Sequence, residues 1–208
     1  MQRFADITLA DFAQRLADKV PSPGGGAVAA VTLAHGAALG AMVLRYTVGR
    51  ANFAAHEAAN TATLAELDAM RAQALALADR DAAAYAHLSS LWKLPEGDAT
   101  RVREYAPAVQ EAIDAPLAIV QLAARACELL HALPARTNAR LGSDLVIAAN
   151  LAALAADAAA WNVRVNLPSL ADATRAATLG SDTDAKVHAA QRMAAEAVQA
   201  ITQAAKGA

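Results

Sequence analysis

Residues 21–48, PSPGGGAVAAVTLAHGAALGAMVLRYTV, decide the fold. The two prolines and three glycines at 21–26 cannot continue a helix, and the glycines admit backbone conformations closed to other residues. From about Gly26 to Val48 a helix of small residues follows. Between Gly24 and Leu44 its only ionisable side chain is His35. By length the segment would pass as a membrane span. It is built of Ala and Gly rather than Leu, Ile and Phe, however, and no aromatic belt flanks it. The reading is a helix buried on most sides of a bundle in water, its small residues letting neighbouring helices approach closely.

The rest of the chain has the same character. Alanine is close to a third of the 208 residues, and 3 Phe, 3 Tyr and 2 Trp are the only aromatics. That composition favours helix and disfavours a β-rich fold. Thr8, with Asp11 three residues on, caps a short helix to about Lys19. After a break at Gly49, a long helix runs from about Asn52 to Leu94. Pro95–Asp98 is a turn, and a helical stretch covers Ala99–Leu133. Within it Pro107 marks a start or a kink, and Pro116 a kink or a break. Ser143 or Asp144 caps a fifth helix to Asn166, and Ser181 or Asp182 opens a last one to about Ala205. There is no strand alternation, repeat or domain linker. The fold class is therefore all-α: one domain over 1–208, a bundle of about six helices. Alanine faces bury little apolar area per residue, so a second copy is expected to cover some of them, as a homodimer.

The chemistry this composition excludes is as informative. The chain is 56% hydrophobic with a formal net charge of −2, which rules out disorder. Its 18 Lys and Arg are scattered among 20 Asp and Glu, so no basic footprint for nucleic acid is expected. The N-terminus has no apolar run of the secretory kind. The single cysteine, Cys127, reads as a small buried hydrophobe, and a reducing, cytoplasmic setting fits. The five histidines form no HExxH and no cluster with cysteine, so no metal is expected. No Gly-x-Ser-x-Gly elbow is present.

Four features are candidates for chemistry. Asp81, in ADRDAAAY (78–85), lies on an apolar helix face with Leu77, Ala78, Ala84, Tyr85 and Leu88. A carboxylate there is either bonded structurally to a neighbouring helix or held with a raised pKa as a general acid/base. Asp79 points about 200° away around the helix. Gly24, Gly25 and Gly26 lead into a helix N-terminus, whose free N–H groups either meet an anion or permit tight packing. Asn162 and Asn166 are four apart on one face, placed to bond a heterocycle or to bridge helices. Ser143-Asp144 reads as an N-cap, while Arg45, Arg50 and Lys93 near helix ends are either carboxylate clamps or solvated charges.

Taken together, PSPGGGAVAAVTLAHGAALGAMV (21–43), TVGRANF (47–53), DRDAAAYAHLSSLWKLP (79–95), DAPL (114–117), SDLVIAANLAAL (143–154) and NVRVNL (162–167) resemble the cyclodeaminase/cyclohydrolase family of folate enzymes. The order and spacing also match, over nearly the whole chain. The resemblance implies an all-helical homodimer that binds a tetrahydrofolate derivative between helices, with no metal. It places Asp81 on the family's proposed acid/base. Gly24, Gly25, Gly26, Lys93, Ser143, Asp144, Asn162 and Asn166 fall on family positions, with Tyr85 and Asn162 expected to orient the substrate. Arg50 stands where the family usually has lysine: arginine keeps the charge but not a readily moved proton. The implied activity is methenyltetrahydrofolate cyclohydrolase, formiminotetrahydrofolate cyclodeaminase, or both. The competing reading is a non-catalytic helical dimer that binds folate or a partner protein.

Overall fold

A computed structural model describes residues 2–206. Six α-helices account for most of them: α1 (Leu9–Ala17), α2 (Gly25–Arg45), α3 (Glu57–Leu91), α4 (Ala99–His131), α5 (Gly142–Asn166) and α6 (Ala173–Lys206). Short 3-10 turns lie at Phe4–Asp6, Ala51–His56, Ala139–Leu141 and Leu167–Ser169. The described residues contain no strand.

Helices α2, α3, α4 and α5 form an up-down-up-down bundle in which each helix packs on its two sequence neighbours and α5 closes back on α2. The close approaches fix the directions. Gly26 of α2 meets Asp81 of α3, while Gly40 faces Leu67 of α3 and Leu130 of α4. Gly36 lies against Ala148, Leu151 and Ala152 of α5. Helix α6 packs antiparallel on α5 and also contacts α4. The core is correspondingly small-grained. Ala29, Ala30, Ala37 and Ala41 of α2 and Ala148, Ala152, Ala155 and Ala159 of α5 are fully buried, with Leu33, Leu44, Leu67 and Leu130 filling between them. Helix α2 and the segment Ala139–Ser169 are both long and apolar enough to cross a membrane; 61% and 50% of their apolar windows are buried inside the bundle. Cys127 is fully buried, and burial pushes its thiol up to about 12.

Thr8 caps α1 as expected, its Oγ1 accepting the N–H of Asp11 at 3.0 Å. Asp98 caps α4 through the N–H groups of Thr100 and Arg101. Three helix starts differ from the sequence reading. Helix α3 starts at Glu57, because Ala51–His56 wind as a 3-10 turn after Gly49, the one residue with positive φ (78°) among those described. Helix α5 starts at Gly142 rather than after a Ser143 cap; the preceding 3-10 turn, held by Asn138, runs straight into it and leaves Ser143 and Asp144 in its first turn. Helix α6 starts at Ala173, well before Ser181. Asp172 caps it by accepting the N–H of Arg175, and Gly180 sits inside the helix where Leu167 packs on it. Finally, α4 passes through both prolines without a break. Pro107 is exposed, as is Arg103, whose carbonyl it frees. Pro116 is buried, and the carbonyl freed there, that of Ala112, has a side-chain partner in Asn166 at 3.1 Å.

Candidate active site

At the end of the bundle where α2 and the preceding loop begin and α5 finishes, a cavity of about 310 Å³ opens between four helices. The loop Val20–Ser22 and the turn Gly24–Gly26 form one wall. Asp81, Ala82 and Tyr85 of α3 form the second, Ala112 of α4 and Asn162 and Asn166 of α5 the third. Among the described residues, the ionisable side chains that line it are Asp81 and Tyr85. Among the described residues, no three His, Cys, Asp or Glu side chains converge as a metal site.

Asp81 is the centre of this arrangement. Its carboxyl group rests on the backbone of Gly26, so closely that a Cβ built on Gly26 would fall inside it. No side chain or backbone N–H donates to it among the described residues, and none of the ion pairs involves it. Burial without a partner disfavours the charged form, and the carboxyl is pushed up from 3.8 to about 6. Its neighbours in sequence point elsewhere: Asp79 accepts the N–H of Phe4 at 2.8 Å, and Arg80 makes a two-pronged pair with Glu111.

The remaining walls supply hydrogen-bonding groups. Helix α2 begins at Gly25 with no side chain capping it, so its first N–H groups open at the cavity. Asn162 lies opposite: a Cβ on Gly25 would stand 3.6 Å from its Oδ1. Its Nδ2 is tied to the carbonyl of Ala158 at 3.0 Å. Tyr85, one turn beyond Asp81, is 46% exposed and meets Trp92 edge-to-face at 6.3 Å between ring centres. Ser22 was not singled out by the sequence except as a letter in the proline–glycine turn. Its Oγ is buried at the cavity wall with no hydrogen-bond partner.

Thus Gly24, Gly25, Gly26, Asp81, Tyr85, Asn162 and Asn166, drawn from three separate stretches of sequence, share one cavity. Arg50, Lys93, Ser143 and Asp144 do not line it. Arg50 follows the far end of α2, about 30 Å along that helix from Gly25, and Ser143 and Asp144 lie about 30 Å along α5 from Asn162. Ser143 borders a second cavity at that opposite end, with Thr137, Arg140 and Ile201. Lys93 is exposed just past α3, at the Asp81 end of the bundle but beyond the cavity wall.

Residues 8–185 match the family described as formiminotransferase-cyclodeaminase. The chain belongs to that family. A methenyltetrahydrofolate cyclohydrolase of Methylorubrum extorquens is 30% identical over 169 residues, which cover 79% of this chain and 81% of the relative. The mouse formimidoyltransferase-cyclodeaminase is 31% identical over 175 residues, 82% of this chain but 32% of the mouse protein. The chain therefore spans about a third of the length of the two-activity members of the formiminotransferase-cyclodeaminase family that it matches. The crystal structure of a formiminotetrahydrofolate cyclodeaminase from Thermotoga maritima shares the fold, with a TM-score of 0.84 at 24% identity over 95% of this chain and 98% of that one.

Proposed function

We propose that this member of the family is a folate one-carbon enzyme acting at the bridge between N5 and N10 of tetrahydrofolate, with Asp81 as general acid/base. The observation that carries the reading is the carboxyl group seated on Gly26: desolvated, without a hydrogen-bonding or cationic partner, and lining a cavity of about 310 Å³, the lower end of small-ligand size. A carboxylate so placed is stabilised by a cation entering the cavity, and the methenyl bridge of 5,10-methenyltetrahydrofolate is cationic. The names of the relatives point to the same substrate class.

In the hydrolytic reaction, ionised Asp81 takes a proton from water as the oxygen bonds to the bridging carbon. The carbon becomes tetrahedral. Asp81 then returns that proton to N5 as the carbon–N5 bond breaks, and the hydroxyl proton leaves to solvent, giving 10-formyltetrahydrofolate. In the deaminating reaction the formimino group enters protonated. Asp81 takes the N10 proton as N10 attacks the formimino carbon, leaving an NH2 group on the tetrahedral carbon. It then passes that proton to this nitrogen as its bond to carbon breaks and ammonia departs. Both reactions begin from the ionised carboxylate. Tyr85 offers a ring face to the pterin, and Asn162 and the free N–H groups of α2 hold its polar edge. Measuring consumption of 5,10-methenyltetrahydrofolate by its absorbance, beside release of ammonia from 5-formiminotetrahydrofolate, tests the reading. Turnover of either supports it. Tight folate binding without turnover of either replaces it with the non-catalytic alternative.

A second copy of the chain belongs in this proposal. Ile147, Leu154 and Trp161 stand exposed at seven-residue spacing on α5, with Val165 continuing the line, and the partly exposed Val31, Leu39 and Met42 of α2 lie alongside. That is a continuous apolar stripe along two packed helices. A two-fold-related copy seated on it with its helices antiparallel brings the far end of one chain beside the cavity of the other. In that arrangement Arg50, Ser143 and Asp144 reach a folate held at Asp81 of the partner copy. Sedimentation of the wild type is expected to give a dimer. Leu154→Glu is expected to give folded monomers with turnover reduced about tenfold or more, since it buries a charge in the interface. A wild type that sediments as a monomer at micromolar concentration would remove the dimer from the proposal.

A further inference from the structure

We propose that Pro116, which does not touch the cavity, is a positioning residue that fixes Asn166 as a pure hydrogen-bond acceptor toward the bound ligand. The inference rests on the folate reading for the ligand's identity and on the structure for the device itself. An asparagine amide has two N–H donors and one carbonyl acceptor. Both donors of Asn166 are spent within the protein. One goes to the carbonyl of Asn162, one turn back on α5, at 2.8 Å; the other goes across to the carbonyl of Ala112 on α4 at 3.1 Å. No donor reaches Oδ1 among the described residues, so the only polar atom Asn166 has left for the cavity it lines is an acceptor.

The second of those bonds exists because of a proline. In an uninterrupted helix the carbonyl of Ala112 would take the N–H of residue 116. Residue 116 is proline and has no N–H, and its ring pushes the carbonyl of Ala112 outward. That carbonyl, on a residue buried within the bundle, needs a donor, and Asn166 supplies it. The proline on α4 and the asparagine on α5 are thus one device. The buried carbonyl demands an N–H, and meeting that demand prevents the amide from turning its nitrogen toward the ligand.

An acceptor-only group selects a ligand that presents N–H donors on one edge. The pyrimidinone edge of a pterin, with a ring N–H beside an exocyclic amino group, is such an edge. Asn162 does not share this restriction: one of its N–H groups is bonded to the carbonyl of Ala158, and the other is left for the cavity it also lines. The specificity assigned to Asn166 is therefore for the donor edge of the heterocycle, away from the one-carbon bridge at Asp81.

The test is Pro116→Ala, which restores the N–H and lets the helix reclaim the Ala112 carbonyl. The Asn166 side-chain amide resonances, assigned by their disappearance in Asn166→Ala, report the device directly and without substrate. In Pro116→Ala they are expected to shift and to exchange with water about tenfold faster, the loss of about one hydrogen bond. The variant is expected to keep or exceed the wild-type Tm, because alanine suits a helix interior better than proline. In the turnover assay KM is expected to rise about fivefold or more, with kcat within about twofold, because ligand positioning is lost and proton transfer is not. Asn166 resonances unchanged in Pro116→Ala overturn the proposal whatever the enzyme turns over. Resonances that change while KM stays at the wild-type value overturn the positioning role alone. A wild type that turns over neither folate, with Asn166 freed in the variant, overturns the functional reading and leaves the proline–asparagine lock standing.

Discussion

Asp81→Asn is expected to lower kcat by at least about 100-fold, the usual contribution of a positioned acid/base, and at the same time to make the protein more stable. The two effects share one cause. Asp81 is largely, though not wholly, withdrawn from water with nothing to offset its charge, and its carboxyl is raised to about 6. In the unfolded chain the same group ionises near its ordinary 3.8. Below about pH 4 both states hold the proton and the charge costs nothing. As pH rises through 4 to 6, the unfolded state ionises first, and stability falls. Above about pH 6 the native state carries the whole cost, on the order of 3 kcal/mol. Asparagine has no charge to desolvate, so its advantage over wild type grows across that window and is constant above it, worth a few degrees in Tm for a chain of this size.

The pH profile of the wild type follows from the same group. In the free enzyme the ionised form starts either reaction, so kcat/KM is expected to fall tenfold per unit below about pH 6. A kcat in Asp81→Asn within a few-fold of wild type would remove Asp81 from the chemistry. A Tm lower than wild type at pH 8 would remove the desolvated carboxyl that the assignment rests on.

Much of this was legible in the chain. The proline–glycine stop, the small-residue helix after it and the shortage of strand signals made the bundle readable. Asp81 stood out because an acidic residue on an apolar helical stripe is costly unless it has a use. What could not be read was which residues meet. Gly26 and Asp81 are far apart in sequence, and only antiparallel packing of α2 on α3 brings them into contact. Charged residues at helix ends, such as Arg50 and Lys93, match family positions without declaring which end of the bundle, or which copy of the chain, they serve. Pro116 read as a kink or a break because local propensity counts the bond a proline removes. It cannot see that Asn166, on another helix, will take up the freed carbonyl. The last helix read as opening at Ser181 or Asp182, residues suited to capping, whereas Asp172 caps it well before them.

Gly26→Ala is expected to disable the site nearly as thoroughly as removing the carboxyl, although it adds one methyl group to a helix that favours alanine. The added Cβ would stand far inside van der Waals contact of the Asp81 carboxyl, both oxygens and the carbon alike. Helix α2 is held by its small-residue contacts with α3 and α5, while the carboxyl is the end of one short side chain, so the carboxyl swings away before the helix moves. A displacement of an ångström or more in a proton-transfer group costs on the order of 100-fold in kcat/KM. Stability is expected to change little, because the moving atoms are the end of one short side chain and alanine lowers the entropy lost on forming the helix. Gly25→Ala is the internal control: its Cβ would meet Asn162 at an ordinary 3.6 Å, and activity within about threefold of wild type is expected. The double variant Gly26→Ala/Asp81→Asn separates a displaced acid from a blocked pocket. If Gly26 acts by seating Asp81, adding Asp81→Asn to Gly26→Ala costs only a small further factor in kcat, far less than the product of the two single effects. Fully multiplicative losses would mean that the methyl group obstructs the ligand and that the carboxyl finds its working position without this glycine.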